Sequence, residues 1–397
     1  MFSSTILINP DASALGCDSV NTPSYSKISA PSSVRSKCFL PYLNRCNTLL
    51  PLLLSRASIT ESDISRTLSG NVLTWYFGWV YIDDSNGQFS MAVILDEVSS
   101  QIISINLSFD STAILDAFHL FPSFVALIKG TLINGATGPV LNVSQFITPP
   151  LAPLPLLNPS KLTALASQVP SISLIAAKVS SISASLLSHL KNLQPSVIIL
   201  FGSPSHLNMQ LDLFYSTLAN SSMKILFVPT VDLSCRLVET IPSTPLDLSE
   251  FDREHMAVVN DLIRTEKLCF GSNPYTFDYH YLRVAAVGYS LGTDERHFNS
   301  IMTQRIFFPL SLSHVSSDFT TKCRFVSSAP NVVFSLEPEF SHSCVNKTTF
   351  VSLGSEVVRL VAKFPTEVTS SLSPVYNSEE FCSVDVIQGF DDCQMMS

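Results

Sequence analysis

One run constrains this chain more than any other: Val197-Ile198-Ile199-Leu200-Phe201, ending in Gly202-Ser203-Pro204. Apolar residues without a polar break, three of them β-branched, read as a strand buried on both faces, and Gly-Ser-Pro reads as a sharp turn after it. Upstream, Ile172, Ile175, Val179, Ile182, Leu186 and Leu190 recur at steps of three or four. That spacing predicts an amphipathic helix, stopped by Asn192-Leu193-Gln194-Pro195. The turn at the carboxyl end of a buried strand is where open α/β proteins carry their chemistry. Here residues 202–210 supply Ser203, Ser205, His206, Asn208 and Gln210, and no carboxylate.

A chain of 397 residues suits two or three domains. With 46% apolar and 14% charged residues it supports a large core, and a net charge of -9 argues against a dominant basic surface for nucleic acid. The uncharged run Gly130–Ser160 is broken by Pro, Gly and Asn, so no membrane-spanning helix is expected. Met1-Phe2-Ser3-Ser4 lacks the basic start and apolar block of a signal peptide. The nine cysteines (17, 38, 46, 235, 269, 323, 344, 382 and 393) form no Cys-x2-Cys pair, which predicts reduced, mostly buried thiols and neither a zinc knuckle nor a disulfide framework.

Taken in order, residues 1–60 read as a loose leader with one or two short helices between Lys37 and Leu54. Residues 61–157 are rich in strand signals. Val72–Tyr81, Phe89–Leu95, Ile102–Leu107, Phe124–Ile128, Gly130-Thr131-Leu132-Ile133 and Val140–Phe146 are apolar or alternating, with Asn86-Gly87 and Asn134-Gly135 as hairpin turns. Short strands at this spacing indicate a small barrel, most simply an OB-fold, closed by the stiff run Thr148–Pro155. Residues 158–375 form a second domain. Its expected elements are a helix at Leu211–Leu218, a strand at Met223–Val228, a helix after Ser249-Glu250-Phe251-Asp252, a strand at Tyr281–Tyr289, a helix at Glu295–Gln304 and a strand at Asn331–Leu336. A last antiparallel pair is expected around Gly354, from Thr348–Leu353 and Glu356–Phe364, and residues 376–397 read as an acidic end.

Two constellations resemble enzyme signatures. Gly288-Tyr289-Ser290-Leu291-Gly292 matches G-x-S-x-G after an apolar strand, and Asp318 and His342 could complete a serine hydrolase triad. Against it, Thr293-Asp294-Glu295-Arg296 is a solvated helix start where small residues are needed, and no HGG-type oxyanion loop lies upstream. Asp278-Tyr279-His280 is an Asp-x-His, the first ligand pair of a dimetal phosphoesterase, but it comes late, and the sequence holds no Gly-Asp, Gly-Asn-His or Gly-His. Nor is there a Gly-rich phosphate loop. His206 and Asn208 read as loop polar residues. No catalytic, cofactor or metal residue is therefore assigned.

Several segments, in order, resemble the B (regulatory) subunit family of DNA polymerase alpha–primase. They are Asp83–Gly87 with Val93–Leu95, Ile105-Asn106-Leu107-Ser108, Leu120-Phe121-Pro122 and Pro153-Leu154-Pro155-Leu156 in the barrel region. Beyond it come Pro195–Gly202, Ile225-Leu226-Phe227-Val228-Pro229-Thr230 and Met302-Thr303-Gln304-Arg305-Ile306-Phe307-Phe308-Pro309-Leu310. The likeness spans roughly residues 35–365. The chain departs from the family at Ser123, where a glycine is usual, at Ser203–Asn208, where charges are usual, and in lacking a separate N-terminal helical module.

The resemblance implies an α+β protein: an OB-fold β-barrel docked on an inactive calcineurin-like phosphoesterase domain, a two-sheet β-sandwich flanked by helices. It implies no enzymatic activity and no cofactor. The implied partners are the C-terminal domain of the polymerase alpha catalytic subunit, the primase subunits and, through the complex, DNA, in the nucleus and without a membrane. Tyr42, Trp75 and Trp79 are candidate contact aromatics, with a place in the buried core as the preferred alternative for each. The small subunit of polymerase delta, sharing the two-domain plan, and a serine esterase using Ser290 are the alternatives.

Overall fold

The computed structural model describes residues 36–68, 70–82, 89–96, 101–109, 117–121, 124–135, 138–156, 168–218, 221, 223–230, 253–307, 328–364 and 375–387. Five strands come first: β1 (Leu73–Ile82), β2 (Phe89–Asp96), β3 (Gln101–Phe109), β4 (Phe124–Gly135) and β5 (Gly138–Ile147). They close into a barrel in the order β1-β2-β3-β5-β4, with β4 returning to β1 and β3 parallel to β5. The two-residue period of the sequence decides which side chains face inward. Tyr76, Val80, Met91, Val93, Ile105, Ala126, Ile128 and Leu141 fill the interior, while Trp75, Phe77 and Trp79 point outward. Gly78 lets β1 and β2 approach: a Cβ there would lie 1.9 Å from the Ala92 carbonyl oxygen.

The outward aromatics are covered by α1 (Ser36–Ala57). One 22-residue helix replaces the short helices expected. Its residues Cys46, Leu49, Leu50 and Leu53 repeat at helical spacing and bury themselves on Trp75, Phe77, Trp79, Ile94, Val125 and Leu127. Trp75 and Trp79 are therefore core residues, 9% and 4% exposed, and are not available as contact aromatics. The side chain of Tyr42 and the Asn86-Gly87 turn lie outside the described residues. Asn134 and Gly135 continue the β4–β5 ladder, with Gly135 opposite Gly138, so they are paired strand residues and not the turn expected.

The rest is a sandwich of two sheets. Six strands form the first: β6 (Ser171–Lys178), β7 (Val197–Gly202), β8 (Lys224–Pro229), β9 (Leu268–Phe270), β15 (Val358–Lys363) and β16 (Cys382–Val386), in the order β16-β15-β6-β7-β8-β9. Five form the second: β10 (Tyr275–Tyr279), β11 (Leu282–Ala286), β12 (Val332–Ser335), β13 (Phe340–Val345) and β14 (Thr348–Leu353), in the order β10-β11-β12-β14-β13. Between the sheets, Ile172, Leu174, Ile199, Phe201 and Leu226 meet Phe277, Val284, Phe334 and Val351. Helices α2 (Ala184–Leu193), α3 (Pro204–Leu218) and α4 (Arg253–Arg264) cover the outer face of the six-stranded sheet. Helix α5 (Glu295–Gln304) and the barrel cover the outer face of the other. One apolar core runs from Tyr76 and Phe124 of the barrel to Phe298, Met302, Val333 and Phe350 of the sandwich.

Four expectations are corrected. The predicted helix over Ile172–Leu190 is a strand, a 3-10 turn (Val179–Ser181) and then α2, whose N-cap is Ser183. Helix α3 begins at Pro204, directly after the strand, not at Leu211. The segments flanking Gly354 do not pair: β14 belongs to one sheet and β15 to the other, and Gly354, at φ 59°, carries the crossing. Finally, the start of the acidic end is structural. Tyr376 is fully buried, α6 (Ser378–Phe381) follows, and β16 edges the six-stranded sheet. The helix start at Ser249–Asp252 lies outside the described residues.

Candidate functional site

The carboxyl ends of the parallel strands in the two sheets meet at one edge. Pro229 ends β8, and its carbonyl oxygen would lie 2.9 Å from a Cβ on Gly288, just beyond β11. Asn273, fully buried, holds this seam by accepting from the Gly288 amide at 2.8 Å. Thr230 N–H donates to the Gly202 carbonyl at 2.9 Å and ties β8 to β7. Among the described residues, Ser203, Thr230, Asn273, Ser290 and Glu337 reach this edge.

Ser203 serves the fold. Its Oγ lies 3.0 Å from His206 Nδ1 and 2.9 Å from Ser205 Oγ, and its carbonyl accepts from Leu207 N–H, so it caps α3 with Pro204 in the first helical position. His206 is thus drawn back onto its own helix start. Asn208 sits one turn further along α3.

A carboxylate that the sequence reading passed over does reach this edge. Glu337, two residues beyond β12 and 4% exposed, accepts from Ser290 Oγ at 2.6 Å. It also accepts from the amides of Leu291 at 2.7 Å and Gly292 at 2.8 Å. The G-x-S-x-G turn therefore aims its hydroxyl and two amides at a side chain of the same molecule. Such a set of donors would otherwise attract an anion. His342 lies on β13, opposite Val351, and Asp318 lies outside the described residues. The histidine beside this turn is His297, whose ring would meet a Cβ on Gly292 at 2.6 Å. Its Nδ1 lies 2.5 Å from Asp294 Oδ1.

The Asp-x-His falls at the opposite end of the sheet. Asp278, next to the end of β10, takes a bidentate pair from Arg283, 2.7 and 2.9 Å. His280 turns the β10–β11 hairpin at φ 53°. Among the described residues, no three His, Cys, Asp or Glu side chains are grouped to hold a metal ion. Among the described residues, the strand ends hold Glu337, already engaged by Ser290 and two backbone amides, beside hydroxyls and an amide, which does not fit the carboxylate and imidazole set that a dimetal centre needs.

The densest polar construction lies at the junction between barrel and sandwich. Gln304, the last residue of α5, is 1% exposed. Its Oε1 accepts from Arg45 Nη2 of α1 at 2.7 Å and from Val125 N–H of β4 at 2.8 Å, while its Nε2 donates to the Val125 carbonyl at 2.9 Å. Arg45 Nη2 also donates to the Gln304 carbonyl at 2.9 Å. Arg56, at the far end of α1, donates from Nη1 to Thr148 O, Thr148 Oγ1 and Pro149 O at 3.0–3.1 Å. The Pro-rich connector is pinned in turn by Ala152 N–H on the Met302 carbonyl and by Ala329 N–H on the Pro153 carbonyl. Nearby the rings of His119 and His297 lie 4.1 Å apart, tilted by 36°, and the His119 amide donates to Ser300 Oγ. Burial alone would raise the Asp294 carboxyl, but the His297 amide, the Arg296 guanidinium and the His297 ring outweigh it and pull it down to about 2. Burial and the neighbouring His297 lower His119.

No family model matches this chain, and no curated protein matches it. A solved structure, Vps29 of Chaetomium thermophilum, is similar over 54% of this chain and 97% of its own, at 9% identity and a TM-score of 0.23. Among the described residues no helix is long and apolar enough to cross a membrane.

Proposed function

We propose that this chain is a non-catalytic scaffold subunit of the DNA polymerase alpha–primase class, an OB-fold barrel fixed on a calcineurin-like phosphoesterase domain that carries no metal. The observation that carries the reading is the Gln304 junction. Met302–Ile306, part of the segment most like that family, is where α1, the barrel and the sandwich are fastened to one another. A part whose work is to hold two modules at a fixed angle needs such a joint, and an enzyme working at the strand ends does not. Two further features support it. The barrel's order β1-β2-β3-β5-β4 is that of an OB-fold. Among the described residues, the one carboxylate at the strand-end edge, Glu337, is taken up by Ser290 and the amides of Leu291 and Gly292, and is not grouped with two further acids or imidazoles as a dimetal phosphoesterase needs.

In this reading the subunit binds the C-terminal domain of the catalytic subunit and tethers primase in the nucleus. It contacts DNA only as part of that complex. Co-expression with that C-terminal domain tests it: a stoichiometric complex is expected, with no phosphatase or esterase activity. Recovery of primase in the same complex separates it from the delta small subunit, which shares the two-module plan.

A further inference from the structure

Three donors converge just beyond β11, and they divide between two acceptor atoms. Oε2 of Glu337 takes the Ser290 hydroxyl at 2.6 Å, and Oε1 takes the amides of Leu291 and Gly292 at 2.7 and 2.8 Å. A planar carboxylate satisfies this set with both its oxygens. A tetrahedral anion would bring further charged oxygens into a place where Glu337 is only 4% exposed, and burying them unpaired is costly. The pattern therefore selects a carboxylate over a phosphate.

The donors are held by their neighbours and not by the group they bind. Before them, the Gly288 amide donates to Asn273 Oδ1 at 2.8 Å. The Tyr289 hydroxyl donates to the Phe307 carbonyl at 2.8 Å, and the Tyr289 carbonyl accepts from Leu336 N–H at 3.3 Å. Leu291, 1% exposed, is packed in the core shared by barrel and sandwich. Gly292 turns at φ 89°, a conformation that glycine adopts without strain. None of these restraints uses the Glu337 carboxylate. Backbone amides fixed in this way form a concave anion site, and fixed donors lower the ordering cost of binding.

We propose that the Ser290–Gly292 turn is a binding site for a small carboxylate, and that the chain closes it with its own Glu337 side chain. The tether holds that carboxylate at high effective concentration, so a free one enters only when Glu337 is withdrawn. The proposal does not rest on the polymerase reading, since it concerns one turn and its occupant.

Glu337→Ala deletes the side-chain atoms that correspond to one acetate ion, which makes acetate the probe. Urea unfolding of the full chain is followed in rising sodium acetate against sodium chloride of equal ionic strength. Acetate should restore at least half of the midpoint that Glu337→Ala loses, and the gain should saturate, as ligand binding to the folded state requires. Wild type and Glu337→Gln, whose sites are filled, should show no saturable gain. Adding Ser290→Ala to Glu337→Ala should raise the half-saturating acetate concentration several-fold. Sodium phosphate should restore less than acetate. If Glu337→Ala does not fold in chloride, refolding yield in the two salts replaces the midpoint, and folding in acetate alone is the expected result. Folding in neither salt, a gain shared by wild type or Glu337→Gln, a gain that never saturates, or phosphate matching acetate would each overturn the proposal.

Discussion

Arg45 and Gln304 stand 259 residues apart in sequence, and a single guanidinium nitrogen of Arg45 donates to both oxygens of Gln304, main chain and side chain. Both residues are buried, 3% and 1% exposed. The amide that accepts from the arginine also completes the backbone of Val125. Gln304→Ala keeps the main-chain acceptor of Arg45 but removes the side-chain one and leaves the buried Val125 amide and carbonyl without their Gln304 partner, so unfolding in urea should show a loss of about 3 kcal/mol. Gln304→Glu keeps an acceptor for Arg45 but sets a carboxylate oxygen against the Val125 carbonyl, and should also be destabilised.

The two tryptophans of the chain both lie beneath α1, which makes its docking visible by fluorescence. Leu53 is fully buried against that wall. Leu53→Ala should cost about 2–5 kcal/mol and move the emission to longer wavelength at denaturant concentrations where the barrel's far-ultraviolet signal persists. Loss of both signals together would mean that α1 is inseparable from the barrel.

Glu337 and Ser290 give a graded set. Glu337→Ala strands the buried amides of Leu291 and Gly292 and should cost about 2–4 kcal/mol. Glu337→Gln can still accept from both amides through its oxygen, and should cost about 1 kcal/mol. Ser290→Ala removes one hydrogen bond and should be similarly mild. A fluorophosphonate probe should label neither wild type nor Ser290→Ala, because the serine hydroxyl is directed to a carboxylate that does not hand its proton on. Labelling lost in Ser290→Ala would restore the esterase alternative.

The histidine pair makes the junction sensitive to mild acid. His119 faces His297, Asp294 and Arg296, and burial with the His297 charge lowers its pKa below the ordinary value near 6.5. A group with a depressed folded pKa takes up its proton more readily in the unfolded chain when it is a base. Its stabilising contribution is whole above about pH 6.5 and is lost as pH falls below that. Asp294, held at about 2, works in a separate window, between about pH 4 and pH 2. Between pH 7.5 and 5.5 the urea midpoint of wild type should fall more than that of His119→Phe. Equal falls would assign the pH dependence elsewhere.

The barrel was legible from its short, spaced apolar runs, although only Ile102–Leu107 alternates, because β1, β2 and the first half of β4 are buried on both faces, between the barrel interior and α1. Strand β6 lies between β15 and β7 and is buried on both faces, with Leu174 in one core and Ile175 in another. Its apolar residues then merge with those of α2 into a false helical period. The pair around Gly354 misled for a different reason: a tight turn reports a change of direction but not which sheet the returning strand joins. Gln304 was visible as part of a motif, yet nothing local marks it as the partner of Arg45. Glu337 carries no signal at all in sequence, since an isolated acid after a strand is usually solvated.

The central claim, that this chain holds other proteins and performs no reaction, is met most directly by recovering the tagged full-length protein from its own cells and identifying what is bound to it in stoichiometric amount. The account predicts one large polymerase polypeptide together with the two primase subunits, retained through gel filtration. A protein recovered with no polymerase polypeptide, or one that turns over a phosphate or carboxyl ester on its own, would contradict it.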